Sequence, residues 1–204
     1  MNYIKKDLEE AIESLYKAIS LSFKNRWNVH SSIGGKYGEL FVANALWKHK
    51  PVIGKERKWK GCDINLAETE KRIEVKWGML HYEPDDYYFK TRGKVPYWGW
   101  GFGKKGSQFL KNKFDYCIFL AAKKNEAHPK YIFVVKSEEM NGKTMEKRIS
   151  GEAGKVGSYF LETSEDKDFF KRRRKKILIV ERMLLRRQMH KKRWEELREN
   201  GVLQ

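Results

Sequence analysis

Two short segments separated by four residues decide the fold of this chain: Gly61-Cys62-Asp63-Ile64-Asn65-Leu66 and Lys71-Arg72-Ile73-Glu74-Val75-Lys76. Polar and apolar residues alternate along the second segment, which is typical of a β-strand with one buried face. A turn of even length between the segments predicts an antiparallel hairpin in which Ile64 faces Ile73 and Asp63 faces Glu74.

Three charged residues of this hairpin, Asp63, Glu74 and Lys76, are predicted to share one face because alternate strand residues point to the same side. Ile73 and Val75 point to the opposite, apolar face. Two opposed carboxylates repel each other unless a cation neutralises them, and Mg²⁺ prefers such oxygen ligands. Lys76 is placed to orient or activate an attacking water and to offset negative charge on a reacting phosphate. These residue types together predict hydrolysis of a phosphodiester bond.

Asp63 followed by Glu74-Val75-Lys76 resembles the motif of the PD-(D/E)XK nuclease superfamily, which has the restriction-endonuclease-like fold. Glu39, in a predicted helix, matches the upstream glutamate of many members. The resemblance covers about residues 34–80 and implies an αβββαβ core and DNA cleavage that leaves a 5′ phosphate. It also implies Mg²⁺ as the cofactor, with Mn²⁺ able to substitute. It assigns Asp63, Glu74 and Glu39 to the metal and counts all three, with Lys76, as catalytic.

The motif is short, and two other acid-x-Lys triplets occur in the chain, Glu56-Arg57-Lys58 and Glu165-Asp166-Lys167. Only Glu74-Val75-Lys76 lies in a strand pattern with an acid at the opposing hairpin position. Cys62 stands where the motif has its proline. An alternative interpretation makes the charged face a solvated surface of the hairpin, and the helix dipole alone favours Glu39 in a first helical turn.

Helices are predicted on both sides of this hairpin. Apolar residues recur every three or four positions over 4–23, which predicts an amphipathic helix. A second helix is expected over 36–47, with Glu39 in its opening turn. A final helix is expected over 165–199, with a break near 177–180.

Continuous apolar runs predict buried strands at 114–121 and 131–135 and a shorter strand at 159–161. Residues 137–157 are expected to form a surface excursion. The fold class is therefore α/β, on the border with α+β, with a restriction-endonuclease-like mixed β-sheet flanked by helices. Three parts are predicted: an N-terminal helix (1–27), a nuclease core (28–163) and a basic C-terminal helical region (164–204).

Two basic regions are candidates for contact with DNA. Residues 78–106 show no clear period and interleave aromatic with basic residues, which fits stacking on bases and contact with phosphates, although a packed aromatic cluster is the alternative. Residues 171–193 carry twelve Lys or Arg and one acid, Glu181. The predicted DNA-binding residues are Arg92, Lys94, Trp98, Trp100, Lys104, Lys105, Arg172, Arg173, Arg174, Arg186 and Arg187.

Composition restricts the class of protein. Forty-four Lys and Arg against 27 Asp and Glu give a net charge of +17, which indicates a polyanionic partner. Two cysteines and no cluster of cysteine and histidine exclude a disulfide framework and zinc-finger sites. No apolar run is long enough for a membrane span, and acids in the first 20 residues argue against a signal peptide. An intracellular, cytoplasmic protein without membrane contact is expected.

The sequence therefore predicts a Mg²⁺-dependent DNA endonuclease of the restriction type. A Holliday-junction resolvase or another structure-specific repair or recombination nuclease is the alternative, because basic regions serve shape and phosphate recognition equally well. A non-catalytic nucleic-acid-binding protein is the second alternative. A homodimer or higher homo-oligomer is expected, because two symmetry-related sites most simply cut both strands of a duplex.

Overall fold

The computed structural model describes residues 5–25, 30–53, 62–80, 97–104, 114–123, 125–140, 159–163, 174–180 and 187–203. The helices in these ranges are α1 (Lys5–Lys24), α2 (His30–Ala45) and α3 (Arg187–Asn200). The strands there are β1 (Pro51–Ile53), β2 (Ile64–Leu66), β3 (Lys71–Met79), β4 (Tyr97–Lys104), β5 (Tyr116–Ala122), β6 (Pro129–Lys136), β7 (Tyr159–Thr163) and β8 (Arg174–Val180). Short 3-10 turns follow α2 and β6, at Trp47–His49 and Ser137–Met140.

The larger sheet is mixed, with strand order β1-β2-β3-β5-β6. Strands β1, β2 and β3 form an antiparallel meander, β5 lies parallel to β3, and β6 returns antiparallel to β5. Every residue of β5 is buried, because both faces of the sheet are covered at its centre. The predicted fold class, a mixed β-sheet flanked by helices, is confirmed.

The β2–β3 hairpin has the register that the sequence predicts. Ile64 lies opposite Ile73, and Leu66 lies opposite Lys71. The turn between the strands ends at Glu70, whose φ of 53° lies in the left-handed region. The strands predicted at 114–121, 131–135 and 159–161 are also confirmed, as β5, β6 and β7.

Helix α2 begins at His30 and runs through Gly34 and Gly35, so the prediction of a start six residues later is wrong. Glycine is a poor helix former, but here it lets the helix approach the sheet closely. A Cβ atom at Gly34 would lie 2.3 Å from Cε3 of Trp77 on β3. As a consequence, Glu39 lies in the middle of the helix and not in its opening turn.

A smaller sheet with order β4-β8-β7 covers the face of the larger sheet opposite α2. Trp98 and Trp100 of β4 join Phe119 of β5 in one buried cluster. The prediction of irregular structure over 78–106 is therefore wrong for β4. The predicted helix over 165–199 is wrong for β8, and in the described part of that region only α3 is helical.

Helix α3 is fixed to the sheet by a polar network at its inner face. Nδ1 of His190 donates a hydrogen bond to the carbonyl oxygen of Val134 at 3.0 Å, and Arg193 makes two hydrogen bonds of 2.7 and 2.8 Å with the Glu139 carboxylate. Burial lowers the pKa of His190 to about 4, so the ring is neutral at physiological pH. Within the described ranges, no helix has the length and apolar content that a membrane span needs.

Candidate active site

The carboxylate of Asp63 lies at the point where β2 and β3 separate. The backbone N–H of Asp63 donates to the carbonyl oxygen of Ile73 at 3.0 Å. Two residues further along β3, the backbone N–H of Val75 donates to Oδ2 of Asp63 at 2.8 Å. The side chain therefore takes the place of a ladder acceptor, which holds the carboxylate between the backbone positions of Glu74 and Lys76.

Glu74 and Lys76 lie on the same face of β3, as the alternation of the strand predicts. Glu74 is buried, with 2% of its surface exposed, and its carboxylate forms an ion pair with the ammonium group of Lys76. Strand β5 lies beside them and places Cys117 next to Glu74 and Phe119 next to Lys76. The pair is therefore enclosed by the sheet on one side and retains partial exposure only at Lys76.

The electrostatics of this pair reflect burial first and neighbouring charges second. The pKa of Glu74 is raised to about 7, with burial as the largest cause; Lys76 opposes the rise, and the carboxylates of Asp63 and Glu39 add to it. Burial alone would lower the pKa of Lys76, but the adjacent Glu74 carboxylate raises it above its ordinary value. Lys76 is therefore protonated at neutral pH.

Glu39 of α2 is the third carboxylate of the site. Burial raises its pKa, a hydrogen bond from Lys36 lowers it, and the charge of Asp63 raises it. Lys36 forms an ion pair with Glu39 and is half-exposed. Sequence analysis missed Lys36, although its place three residues before Glu39 on a helix is the spacing at which side chains meet.

The three carboxylates have the chemistry that a hard divalent cation requires. Asp63, Glu74 and Glu39 supply only oxygen ligands. Asp63 raises the pKa of both glutamates and Glu39 raises that of Glu74, so a divalent cation would relieve this repulsion. The three carboxylates lie too far apart to bind one ion together, because no three His, Cys, Asp or Glu side chains in the described ranges are grouped closely enough to hold a metal. Two of the carboxylates form ion pairs with lysines instead, Glu39 with Lys36 and Glu74 with Lys76.

The predicted DNA-stacking role of Trp98 and Trp100 is wrong for this structure. Both indole rings are buried, and Nε1 of Trp98 donates to the carbonyl oxygen of Ala122 at 2.7 Å. Trp100 packs on Phe119 with ring centroids 5.0 Å apart. Aromatic side chains buried between two sheets cannot stack on a base, so the packed-cluster alternative holds for these two residues.

The predicted basic contacts are described only in part. The backbone register places Lys104 opposite Arg174 at one end of the β4–β8 pair, and Arg187 is the first residue of α3. The other predicted contacts lie outside the described residues: Arg92, Lys94, Lys105, Arg172, Arg173 and Arg186.

A comparison of the chain with protein-family models, with curated proteins and with solved structures finds no match. The resemblance to the PD-(D/E)XK nucleases therefore depends on Asp63, Glu74, Lys76 and Glu39 and on the strands that carry them. It stays a prediction.

Proposed function

We propose that this protein is a Mg²⁺-dependent endonuclease that hydrolyses phosphodiester bonds in DNA. The observation that carries the proposal is the placement of the Asp63 carboxylate against the backbone of β3, between Glu74 and Lys76. A buried glutamate with a raised pKa, paired with a lysine on the same strand, is characteristic of functional sites, because such burial destabilises the fold and is retained where it serves chemistry.

The residues divide the work as follows. Asp63, Glu74 and Glu39 would hold the cation, which when bound would polarise the phosphate of the substrate and make a water molecule more acidic. Lys76 remains protonated, so its ammonium group stabilises the negative charge that develops on the phosphate and does not act as a base. The hydrogen bond from Val75 fixes the orientation of Asp63.

The topology supports the proposal in part. A helix followed by the antiparallel meander β1-β2-β3 and then by the parallel strand β5 matches most of the αβββαβ core that the resemblance implies. The connection between the parallel strands β3 and β5 differs from that core. The described part of the connection between β3 and β5 is the strand β4, at the place where the resemblance implies a helix.

Cleavage of supercoiled plasmid in MgCl₂ and in EDTA tests the proposal. Asp63→Asn, Glu74→Gln and Lys76→Met are each expected to lower the cleavage rate by at least about a hundredfold while DNA binding survives. Glu68→Gln is the matched control, because Glu68 is an exposed acid on the β2–β3 turn that pairs with Lys50. Wild-type cutting by all three site variants would contradict the proposal.

A non-catalytic nucleic-acid-binding protein is the second candidate, and one observation favours it. Lys76 already neutralises Glu74, and the carboxylates are not grouped for a metal in the described ranges. This candidate predicts salt-sensitive DNA binding that Asp63→Asn leaves intact, with no cutting in any divalent cation.

Parallel digests of linear duplex and of a four-way junction separate the two nuclease classes. Discrete bands from plain duplex indicate a restriction-type enzyme. Cutting confined to the junction indicates a structure-specific nuclease.

A further inference from the structure

Two adjoining clefts lie beside the α1–α2 pair. None of the residues proposed for the active site lines either cleft. One cleft of about 430 Å³ is lined by Tyr16 of α1 and by Tyr37 and Phe41 of α2. The next, of about 530 Å³, is lined by Lys48 and by Arg198 of α3. Asn44 and Ala45 line both clefts, so the two adjoin at these residues and are together called the groove.

The side chains that line the groove change from aromatic to polar to cationic along its length. Tyr37, Phe41 and Asn44 follow one another at spacings of four and three residues, which places them in one line along α2. Lys48 lies beyond the end of this helix, in the 3-10 turn Trp47–His49. The order is therefore two aromatic rings, an amide and a cation. From Tyr37 to Asn44 the line spans about 10 Å at the α-helical rise.

The aromatic end offers ring surface to a ligand. Tyr16 is 40% exposed, and its ring centroid lies 6.4 Å from that of Tyr37. Phe41 is partly buried next to them, 6.0 Å from Tyr37 by ring centroids. An exposed tyrosine above packed aromatic rings is a surface on which a flat heterocycle can stack.

The opposite end carries cations that are not neutralised nearby. In the described part of the chain neither Lys48 nor Arg198 has an ion-pair partner, whereas Lys5 and Glu195 of the same cleft are paired with Glu9 and Lys191, each at 3.8 Å. One further carboxylate, Glu199, lines the cleft. The two unpaired cations therefore outnumber the one carboxylate that remains, and an anion is favoured there.

Asn44, between the two ends, has unused hydrogen-bonding capacity. No described residue donates to its Oδ1 atom, which is buried. Buried amide oxygens in proteins are normally paired, and rotation about the Cβ–Cγ bond turns this amide towards either cleft. An amide is also the side-chain group that pairs with the edge of a base.

We propose that this groove binds one nucleotide, with its base on Tyr16 and Phe41, its base edge at Asn44 and its phosphate at Lys48 and Arg198. A stacking surface, an amide and a cation, in that order, are the groups that recognise this ligand class. The groove is distinct from the proposed active site. Glu39 lies roughly 150° around α2 from the line of Tyr37, Phe41 and Asn44.

Isothermal titration calorimetry in EDTA tests the inference without any metal. The probes are dAMP, deoxyadenosine and a 5′-phosphorylated single-stranded hexanucleotide. dAMP is expected to bind, and deoxyadenosine is expected to bind at least about tenfold more weakly because it lacks the phosphate. Tyr16→Ala and Lys48→Ala are each expected to weaken dAMP binding about tenfold.

Two matched controls and one comparison complete the test. Leu21→Ala and Lys24→Ala change an exposed apolar residue and an exposed lysine elsewhere on α1, so they should leave binding unchanged. Glu74→Gln should bind dAMP as the wild type does, and a loss of binding there would place the nucleotide in the active site and overturn the inference. Absence of dAMP binding at millimolar concentration, or binding that Tyr16→Ala and Lys48→Ala leave intact, would also overturn it. The two phosphate-bearing probes identify the source of the nucleotide. Equal affinity for dAMP and the hexanucleotide indicates a free nucleotide. Tighter binding of the hexanucleotide, weakened by the same variants, indicates a nucleotide within a strand.

Discussion

Replacing Gly34 of α2 with alanine should destabilise the protein, although alanine is the better helix former by about 1 kcal/mol. The added Cβ atom would lie 2.3 Å from Cε3 and 2.5 Å from Cζ3 of the Trp77 ring. That ring cannot turn away freely, because its Nε1 donates to the carbonyl oxygen of Ala127 at 2.9 Å. The helix must therefore move away from the sheet, and overpacking of this kind costs about 1–3 kcal/mol.

The neighbouring Gly35 provides the control, because a Cβ atom there would have no heavy atom within 4 Å. Both substitutions gain the same helix propensity, so Gly34→Ala should be less stable than Gly35→Ala by the whole overpacking cost of about 1–3 kcal/mol. Urea denaturation followed by circular dichroism measures the difference. Equal midpoints would refute the close approach of α2 to the sheet, and with it the position of Glu39.

Three further results are expected. Trp98→Phe should lower the free energy of unfolding by about 1 kcal/mol more than Trp100→Phe, because the indole N–H of Trp98 donates to Ala122 whereas no described residue accepts from that of Trp100; urea midpoints of the two variants check this. Because the pKa of His190 is lowered to about 4 in the folded state, the unfolded chain takes up the proton first on acidification. Stability should therefore fall by up to about 3 kcal/mol between pH 6.5 and pH 4, with a shallower fall in His190→Gln, as measured by unfolding at each pH. Lys36→Met should tighten Mn²⁺ binding about two- to fivefold in calorimetry by releasing Glu39 from its ion pair, and unchanged affinity would show that Lys36 does not compete with the metal.

The hairpin could be predicted from the sequence because its determinants are local. Alternation along β3 fixes the face of each residue, and the even turn fixes the register that pairs Ile64 with Ile73. Strand β5 was predictable for a related reason, since a continuous apolar run is the composition of a strand that is covered on both faces.

Strands β4 and β8 could not be predicted, because their pairing joins residues that are far apart in the chain. Trp100 pairs with Ile177, and no local pattern contains that information. Glycines in β4 also read as loop signals, although in the structure they alternate with tryptophans whose side chains are buried. The start of α2 was missed for a similar reason, since Gly34 is explained only by the Trp77 ring beneath it.

The residues of the candidate site could be predicted from the sequence, but their burial and their ion pairs could not. Register alone brought Asp63, Glu74 and Lys76 together. The depth of burial of Glu74 depends on β5, which lies beside it and comes from a distant part of the chain. The pairing of Lys36 with Glu39 is a choice among several nearby charges, and a sequence pattern does not resolve such choices.

The pairing of β4 with β8 also imposes a delay during synthesis. At ordinary translation rates, residues 174–180 leave the ribosome roughly 4–15 seconds after residues 97–104. During that interval Trp98 and Trp100 belong to a strand without its partner, and such an unpaired edge with large apolar side chains is prone to self-association. The yield of folded protein in a cell should therefore depend on chaperones that shield β4, and on the speed at which the intervening residues are translated.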